Sequence, residues 1–285
     1  MSTPTFFLVG APKAGTTSLF RYLGAHPDVA VSAIKEPCFF APEVPVDPET
    51  DAHRRNWDTY RALFAHAGRA RAIGEGSVAY LSAPNAAAAI RARIPHAKIV
   101  MMLRDPADRL FAHYSAAIAA GVTTAPFPKW VDDRQQKESD TDSTWGPVWA
   151  GRYATHLARF QEHFPADQLH LSYYDDFVTE PDAVLARLFS FLGVDASVAI
   201  DREERHNVTT VTKWPALDAL RPPMRALFQQ MLPTAVFDRA RAWSREPAQL
   251  TFSRVDRAHA IAVYREEIEA LQRLTGRDLA RWLSA

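Results

Sequence analysis

The sequence predicts an α/β protein of the P-loop-like, three-layer α/β/α class, built around a central parallel sheet. Three observations predict this class. Short apolar runs alternate with amphipathic helical segments from residue 5 to residue 192. The segment 98–103 is apolar at every position after its lysine, which is typical of a strand covered on both faces. A loop containing Gly10 and Gly15 joins the first strand to the first helix, where such sheets commonly bind an anion.

The elements follow in chain order. The first strand (5–9) is a β-rich run that ends at Gly10, and the first helix (16–23) has its apolar residues at helical spacing. We then expect a weaker strand (70–75), an Ala-rich helix (85–93) stopped by Pro95, the strand 98–103 and a helix that starts at Pro106. The remaining elements are a helix over about 148–164, a strand over 168–173, a helix over 182–192 closed by Gly193, and an amphipathic helix over about 256–274.

Two segments interrupt this alternation. Residues 42–58 and 123–144 are rich in Pro, Asp, Thr and Ser, which predicts long loops of the kind that form lids, substrate loops or disordered segments. Residues 194–255 show no clean period and are interpreted as loops and short helices that cap the sheet. The sequence therefore predicts a single domain over residues 1–285.

Composition limits the classes of partner. The chain of 285 residues has 33 Lys and Arg against 33 Asp and Glu, so no excess charge favours nucleic acid or an anionic membrane. Its single cysteine, Cys38, cannot form an intramolecular disulfide, and the ten histidines show no metal-binding spacing. No apolar run approaches a membrane span, and the stretch 6–9 is too short for a signal peptide. We expect a cytoplasmic protein without a metal; its oligomeric state is not readable.

The loop after the first strand is a phosphate-binding loop in kind. A nucleotide P-loop places lysine directly after its second glycine, whereas here Thr16 follows Gly15 and the lysine is Lys13, inside the loop. The backbone and side chains of the loop can hold a phosphate without the usual arrangement for a metal-bound triphosphate; the candidate binding residues are Lys13, Ala14, Gly15, Thr16, Thr17 and Ser18. Simple capping of the helix is the alternative.

The strand 98–103 is followed by Arg104, where a nucleotide triphosphatase would be expected to carry a magnesium-binding aspartate. Ligands of parallel sheets lie at the carboxyl ends of the strands, so this arginine indicates a second phosphate bound by a guanidinium group. A structural ion pair between Arg104 and a carboxylate is the alternative.

Taken in order, these segments resemble the motifs of sulfotransferases that use 3′-phosphoadenosine 5′-phosphosulfate (PAPS), particularly the branch of heparan-sulfate and bacterial small-molecule enzymes. The resemblance rests on 13–18 with His26-Pro27, on Lys35-Glu36-Pro37 with Phe39-Phe40, and on 103–106 with Arg109, and it continues more weakly through 151–153, 164–165, 173–177 and 191–193. It covers about two thirds of the chain. It implies that the loop at Lys13 binds the 5′-phosphosulfate and that Arg104 binds the 3′-phosphate.

The resemblance also implies a catalytic pair. Glu36 stands where related enzymes have the glutamate that takes the proton of the acceptor, with Lys35 and the two phenylalanines beside it to tune and desolvate it. Lys13 would neutralise the charge that develops on the leaving phosphate oxygen, so that no metal is required. An ordinary surface glutamate at position 36 is the alternative.

Several positions depart from the family pattern. Ala112 stands where the family usually has a serine that helps to bind the 3′-phosphate, and Ser115, one turn later, could replace it only if the helix is rotated or shifted. Cys38 stands where a histidine is frequent, and Gly76 stands where the heparan-sulfate branch has a lysine. These losses favour a small or neutral acceptor over a polyanionic sugar.

Three further residues are open to two interpretations. Glu75 is either a second active-site carboxylate or the partner of Arg69 or Arg71, and His113 is assigned to the core or surface ahead of catalysis. Lys213, next to Trp214, falls where the family has a basic loop over the nucleotide, so we expect it to contact the 3′-phosphate; a solvated charge is the alternative.

The sequence thus predicts a single-domain PAPS-dependent sulfotransferase that acts on a hydroxyl of a small-molecule acceptor, with an amine as the second choice. One alternative is a magnesium-dependent nucleotide kinase with a degenerate P-loop. The other is a nucleotide-binding protein without catalysis, which Ala112, Cys38 and Gly76 keep open. The identity of the acceptor is not readable, because acceptor pockets are built from variable loops.

Overall fold

The computed structural model describes residues 2–138, 146–201 and 250–285, together with the backbone of two short strands at 210–212 and 245–247. Its centre is a five-stranded sheet in the order β2-β3-β1-β4-β5, in which every neighbouring pair is parallel. The strands are β1 (Phe6–Gly10), β2 (Val29–Val31), β3 (Ala72–Gly76), β4 (Lys98–Leu103) and β5 (Leu169–Tyr173). A separate antiparallel pair consists of β6 (Thr210–Thr212) and β7 (Arg245–Pro247).

Every residue of β1 is buried, although successive side chains of a strand point to opposite faces of the sheet. Both faces of the sheet are therefore covered, and helices cover them. The helices in the described part of the chain are α1 (Thr16–Gly24), α2 (Pro48–Arg54), α3 (Trp57–Ala62), α4 (Ala86–Arg93), α5 (Pro106–Ala119), α6 (Phe127–Lys137), α7 (Tyr153–Gln161), α8 (Tyr174–Thr179), α9 (Pro181–Leu192) and α10 (Arg254–Thr275). The predicted three-layer architecture around a parallel sheet is confirmed. None of these described helices is long and apolar enough to cross a membrane.

The prediction of a continuous loop over 42–58 was wrong, because its centre folds into α2. The Asp47 side chain accepts hydrogen bonds from the backbone N–H groups of Glu49 and Thr50, both at 3.0 Å, and Pro48 occupies the first helical position. These are helix-start signals, and their effect outweighs the loop-like composition.

The prediction of a continuous loop over 123–144 was also wrong, because its centre folds into a helix. Residues 127–137 form α6, which buries Phe127, Trp130 and Val131 at the spacing of one helix face. The charged and amide side chains of this helix are exposed or half-buried and form the rest of its surface. Residues 139–145 lie outside the described residues.

Element boundaries also shift. The helix predicted over 148–164 begins only at Tyr153, after a 3₁₀ turn at Trp149–Gly151. The edge strand β2 and the short helix α8 were not predicted as elements, because three and six residues are too few to show a period. The prediction for 194–255 falls largely outside the described residues, so the single-domain organisation stays a prediction.

Candidate functional site

The carboxyl ends of β3, β1 and β4 are neighbours in the sheet, and the predicted site residues follow them. The loop 10–18 follows β1, Arg104 follows β4, and the segment of Glu36 is hydrogen-bonded to the end of β3 through Glu36 N–H and the Gly76 carbonyl, at 3.0 Å. Because parallel strands end at the same edge of a sheet, three segments far apart in the chain form one cleft edge.

The loop between β1 and α1 has the backbone of an anion site. Gly15 is the N-cap of α1 with φ of 82°, and the first turn of this helix has neither a side-chain cap nor an acidic residue. Lys13 also has a left-handed backbone, with φ of 64°. The N–H groups at the start of α1 therefore have no partner from a capping side chain, and together with the positive end of the helix they can bind an anion.

Gly15 also makes a close approach to a neighbouring helix. A Cβ atom at this position would lie 2.9 Å from the Tyr174 ring, which is shorter than an ordinary van der Waals contact. We expect Gly15→Ala to lower the free energy of unfolding by about 2–3 kcal/mol, from left-handed strain of about 1–2 kcal/mol and from displacement of the ring. Urea unfolding measures this loss.

Gly276→Ala is the matched control for that substitution. Gly276 has φ of 67°, yet a Cβ atom there meets nothing within 4 Å, so only the backbone strain of about 1–2 kcal/mol should appear. Equal losses for the two variants would show that the contact between Gly15 and Tyr174 carries no constraint.

Arg104 is connected to the loop directly. Its Nη1 donates to the Lys13 carbonyl at 3.0 Å, and its guanidinium lies 4.8 Å from the centre of the Tyr174 ring. Among the described residues no carboxylate forms an ion pair with Arg104, so the structural ion pair considered from the sequence is not observed. The positive charge of this half-buried side chain stays at the cleft edge, where an anionic ligand would complement it.

The electrostatic setting of the loop is positive. Protein atoms around the Lys13 side chain lower the pKa of its amine by displacing hydrating water, and the Arg109 guanidinium lowers it further, while Glu36 opposes the shift. Arg109 is fully buried and donates to the Pro147 carbonyl and to the Tyr264 hydroxyl. A buried cation behind an exposed lysine raises the potential at the loop, which favours a bound anion.

Glu36 lies beside this loop, since it is the group that most strongly raises the pKa of the Lys13 amine. Its Oε1 is 2.5 Å from the Lys35 Nζ, and the side chains of both residues are partly exposed. Within the described part of the chain its Oε2 accepts no hydrogen bond. One carboxylate oxygen is therefore held by a lysine and the other is available to accept a proton.

Glu75 is not paired with Arg69 or Arg71, as one interpretation of the sequence had it. The carboxyl group is fully buried and accepts hydrogen bonds from the hydroxyls of Tyr60 (2.6 Å), Tyr80 (2.8 Å) and Ser77 (2.5 Å). Burial raises the pKa of Glu75 to about 7, although the three hydroxyls act in the opposite direction. Sequence reasoning missed these partners; the only available signal was that a buried carboxylate needs hydrogen-bond donors.

The raised pKa of Glu75 should make folding stability depend on pH. Between its ordinary value of 4.5 and its folded value of about 7 the folded protein binds more protons than the unfolded chain, so stability should fall as pH rises through this window, by about 3 kcal/mol. Urea unfolding of wild type and Glu75→Gln, compared across this range, isolates the contribution. If the two proteins show the same slope, Glu75 does not titrate in this window.

One predicted site residue, Ser115, is not brought into the cleft by an observed contact. The Ser115 Oγ donates to the Phe111 carbonyl within α5, at 2.9 Å, so its hydroxyl is already used inside the helix and its role at the 3′-phosphate stays a prediction. His113 lies near enough to the loop to be affected by the charge of Lys13: burial first, and then the charges of Arg109 and Lys13, lower the pKa of its imidazole to about 3, so the group is neutral and only weakly basic at neutral pH. Lys213, like Trp214, lies outside the described residues.

Metal ligation has no evident place in the described ranges, where no group of three or more His, Cys, Asp or Glu side chains could hold an ion. The cleft is built from Lys13, Arg104 and backbone N–H groups, and such donors bind anions instead of cations.

Comparison with known proteins gives concordant results. Residues 3–214 match the family described as the sulfotransferase domain. Heparan sulfate glucosamine 3-O-sulfotransferase 3B1 of Mus musculus is 28% identical over 192 residues, which are 67% of this chain and 46% of that protein. The bifunctional heparan sulfate N-deacetylase/N-sulfotransferase 1 of Caenorhabditis briggsae is 26% identical, over 67% of this chain and 23% of that protein. This chain thus spans less than half the length of these curated relatives.

Among solved structures, a sulfotransferase from Alicyclobacillus acidocaldarius superposes with a TM-score of 0.75 at 26% identity. The match covers 99% of each chain. The agreement therefore extends to the whole architecture and is not restricted to the loop and the first strands.

Proposed function

The chain belongs to the sulfotransferase domain family, and on that premise we propose that it moves a sulfuryl group from PAPS to a hydroxyl, or less readily an amine, of a small-molecule acceptor. Family membership bears out the resemblance stated from the sequence. The observation that carries the proposal is the hydrogen bond from Arg104 to the Lys13 carbonyl, which joins two candidate phosphate-binding elements at one cleft edge beside Glu36.

The residues present fit such a cosubstrate. The uncapped first turn of α1 and the exposed Lys13 side chain suit the 5′-phosphosulfate, with the hydroxyls of Thr17 and Ser18 as further donors. Arg104 suits the 3′-phosphate, since a guanidinium binds a phosphate through two parallel hydrogen bonds. When bound, PAPS supplies the activated sulfuryl group.

Different residues of the chain would then take the proton of the acceptor and stabilise the leaving group. The Oε2 of Glu36, which accepts no hydrogen bond from the described residues, takes the proton of the acceptor hydroxyl, while Lys35 holds Oε1 and orients the carboxylate. Lys13 and the N–H groups at the start of α1 stabilise the negative charge on the leaving phosphate oxygen; the N–H groups are fixed by the helix before the reaction and need no reorganisation. No step in this scheme requires a metal.

Two positions that depart from the family pattern, Gly76 and Cys38, bear on the nature of the acceptor. A Cβ atom at Gly76 would lie 2.9 Å from the Phe20 ring, so a lysine there would meet the core. Cys38 is buried and uncharged at neutral pH, since burial raises the pKa of its thiol to about 12. With neither a lysine nor a histidine at these positions, a small or neutral acceptor fits better than a polyanionic sugar. The names of the relatives include both O- and N-sulfotransferases, which supports a hydroxyl or an amine as the target.

A ligand screen by thermal unfolding tests the proposal. A ligand that binds only the folded state raises the melting temperature, so 3′-phosphoadenosine 5′-phosphate (PAP), the product of PAPS, should stabilise the protein in the presence of a chelator. ATP with magnesium should do so much less. A strict need for magnesium, or stronger stabilisation by ATP, would favour the kinase alternative; binding of PAP without turnover of PAPS on any acceptor would favour the non-catalytic alternative.

A further inference from the structure

The segment that carries the candidate base has a strained backbone. Between Glu36 and Phe40 two residues with side chains adopt left-handed conformations: Glu36 with φ of 68° and Cys38 with φ of 53°. Such conformations are unfavourable for residues other than glycine and persist only where surrounding contacts hold them. We call residues 36–40 the base segment.

Three hydrogen bonds from alternate backbone N–H groups hold the base segment. Glu36 N–H donates to the Gly76 carbonyl at 3.0 Å, as a strand residue would. The other two acceptors are side chains: Cys38 N–H donates to the Ser77 Oγ at 3.0 Å, and Phe40 N–H donates to the Tyr80 hydroxyl at 3.2 Å. Two hydroxyl groups thus attach the base segment to the residues that come directly after β3.

Both hydroxyl groups are oriented by one carboxylate. Ser77 donates its single proton to Glu75 Oε2, and Tyr80 donates its proton to Glu75 Oε1. A hydroxyl whose proton is committed in this way presents its lone pairs in the other directions, where they accept from Cys38 and Phe40. The network is fully buried, so neither hydroxyl can exchange its partner for water without opening the structure.

We propose that Glu75 is a positioning residue for Glu36, which acts by orienting the Ser77 and Tyr80 hydroxyls so that they hold the base segment at the cleft edge. The catalytic consequence rests on the proposed function, because it takes Glu36 as the base. The claim that Glu75 holds the base segment in place does not depend on the proposed function.

The only cysteine of the chain reports on the base segment. Cys38 is 1% exposed, so a thiol reagent should reach it only when the segment opens. In Glu75→Gln an amide cannot accept from all three hydroxyls, and Cys38 labelling should accelerate about tenfold or more. Ser77→Ala and Tyr80→Phe each remove one hydrogen bond to the segment, for which we expect roughly two- to tenfold. These two variants keep the Glu75 side chain, so its replacement cannot explain a faster rate.

Tyr60→Phe is the matched control. Tyr60 donates to the same carboxylate oxygen as Tyr80, at 2.6 Å, and its ring stacks on Phe39 with ring centres 4.4 Å apart. Phenylalanine preserves the stacking and removes a hydrogen bond that ends on Glu75 and does not continue to the base segment. Its labelling rate should stay within about twofold of wild type, although the variant loses a buried hydrogen bond as Tyr80→Phe does.

Labelling at several low urea concentrations separates opening of the base segment from unfolding of the protein. Local opening exposes little surface and should depend weakly on urea, whereas global unfolding depends on it steeply. Unchanged labelling in Glu75→Gln, or acceleration that follows global unfolding, would overturn the proposal.

Two further readouts connect the segment to turnover. In Glu75→Gln, kcat should fall while PAP affinity stays within about threefold, because the base is misplaced and the loop at Lys13 is not. A kcat that is unchanged despite fast labelling would overturn the catalytic part of the proposal. If wild type fails to bind PAP, the proposed function fails, yet the labelling rates still decide whether Glu75 holds the segment.

Discussion

Replacing Glu36 with glutamine should lower the turnover of PAPS with a competent acceptor by roughly a hundred- to ten-thousand-fold, the usual contribution of a general base. Glutamine has the shape of glutamate but cannot take a proton. PAP affinity should stay within about threefold, since the proposed role places Glu36 at the acceptor and not at the phosphates. Steady-state kinetics and calorimetric titration with PAP measure the two quantities.

Glu43→Gln is the control for this substitution, because Glu43 is an exposed glutamate in the same part of the chain. It should leave both quantities unchanged. Turnover that survives Glu36→Gln would mean that the base lies elsewhere, and loss of PAP affinity would mean that Glu36 organises the cleft and does not act as the base.

Arg104→Ala should weaken PAP by roughly ten- to a hundred-fold, because one charged, bidentate contact contributes on the order of 1.5–3 kcal/mol. Adenosine 5′-phosphosulfate lacks the 3′-phosphate, so its binding should weaken only by the loss of the hydrogen bond to the Lys13 carbonyl, about two- to fivefold. Titration of wild type and variant with both ligands separates the two effects. Equal weakening of PAP and of adenosine 5′-phosphosulfate would show that Arg104 holds the loop and does not bind the 3′-phosphate.

The parts of the fold that were predictable are those encoded by neighbouring residues. The apolar run of β4, the glycines around β1 and Gly193 after α9 each carry their own signal over a few positions. The start of α2 is equally readable from Asp47 and Pro48, although the composition of the surrounding segment is typical of a loop. The edge strand β2 has only three residues, and its existence depends on pairing with β3, which no local pattern encodes.

The candidate site also has features that neighbouring residues encode and features that depend on the folded structure. The loop of Lys13 is local, and its order along the chain with Arg104 and Glu36 could be recognised. The hydrogen bond between Arg104 and the Lys13 carbonyl spans 91 positions and follows only from strand order. The environment of Glu75 could not be inferred at all, because Glu75 lies in β3 while Tyr60 reaches it from α3, and the choice between a buried network and an arginine partner depends on packing.

The measurement that tests the account most directly is a crystal structure of the protein with PAP bound in the presence of a chelator. We expect the 5′-phosphate within hydrogen-bond distance, about 3 Å, of the N–H groups at the start of α1 and of the Lys13 amine, and the 3′-phosphate at the Arg104 guanidinium. The Glu36 carboxylate should face the open side of the 5′-phosphate, where an acceptor can approach in line. PAP bound away from the carboxyl ends of β1 and β4, or with its 3′-phosphate remote from Arg104, would contradict the account.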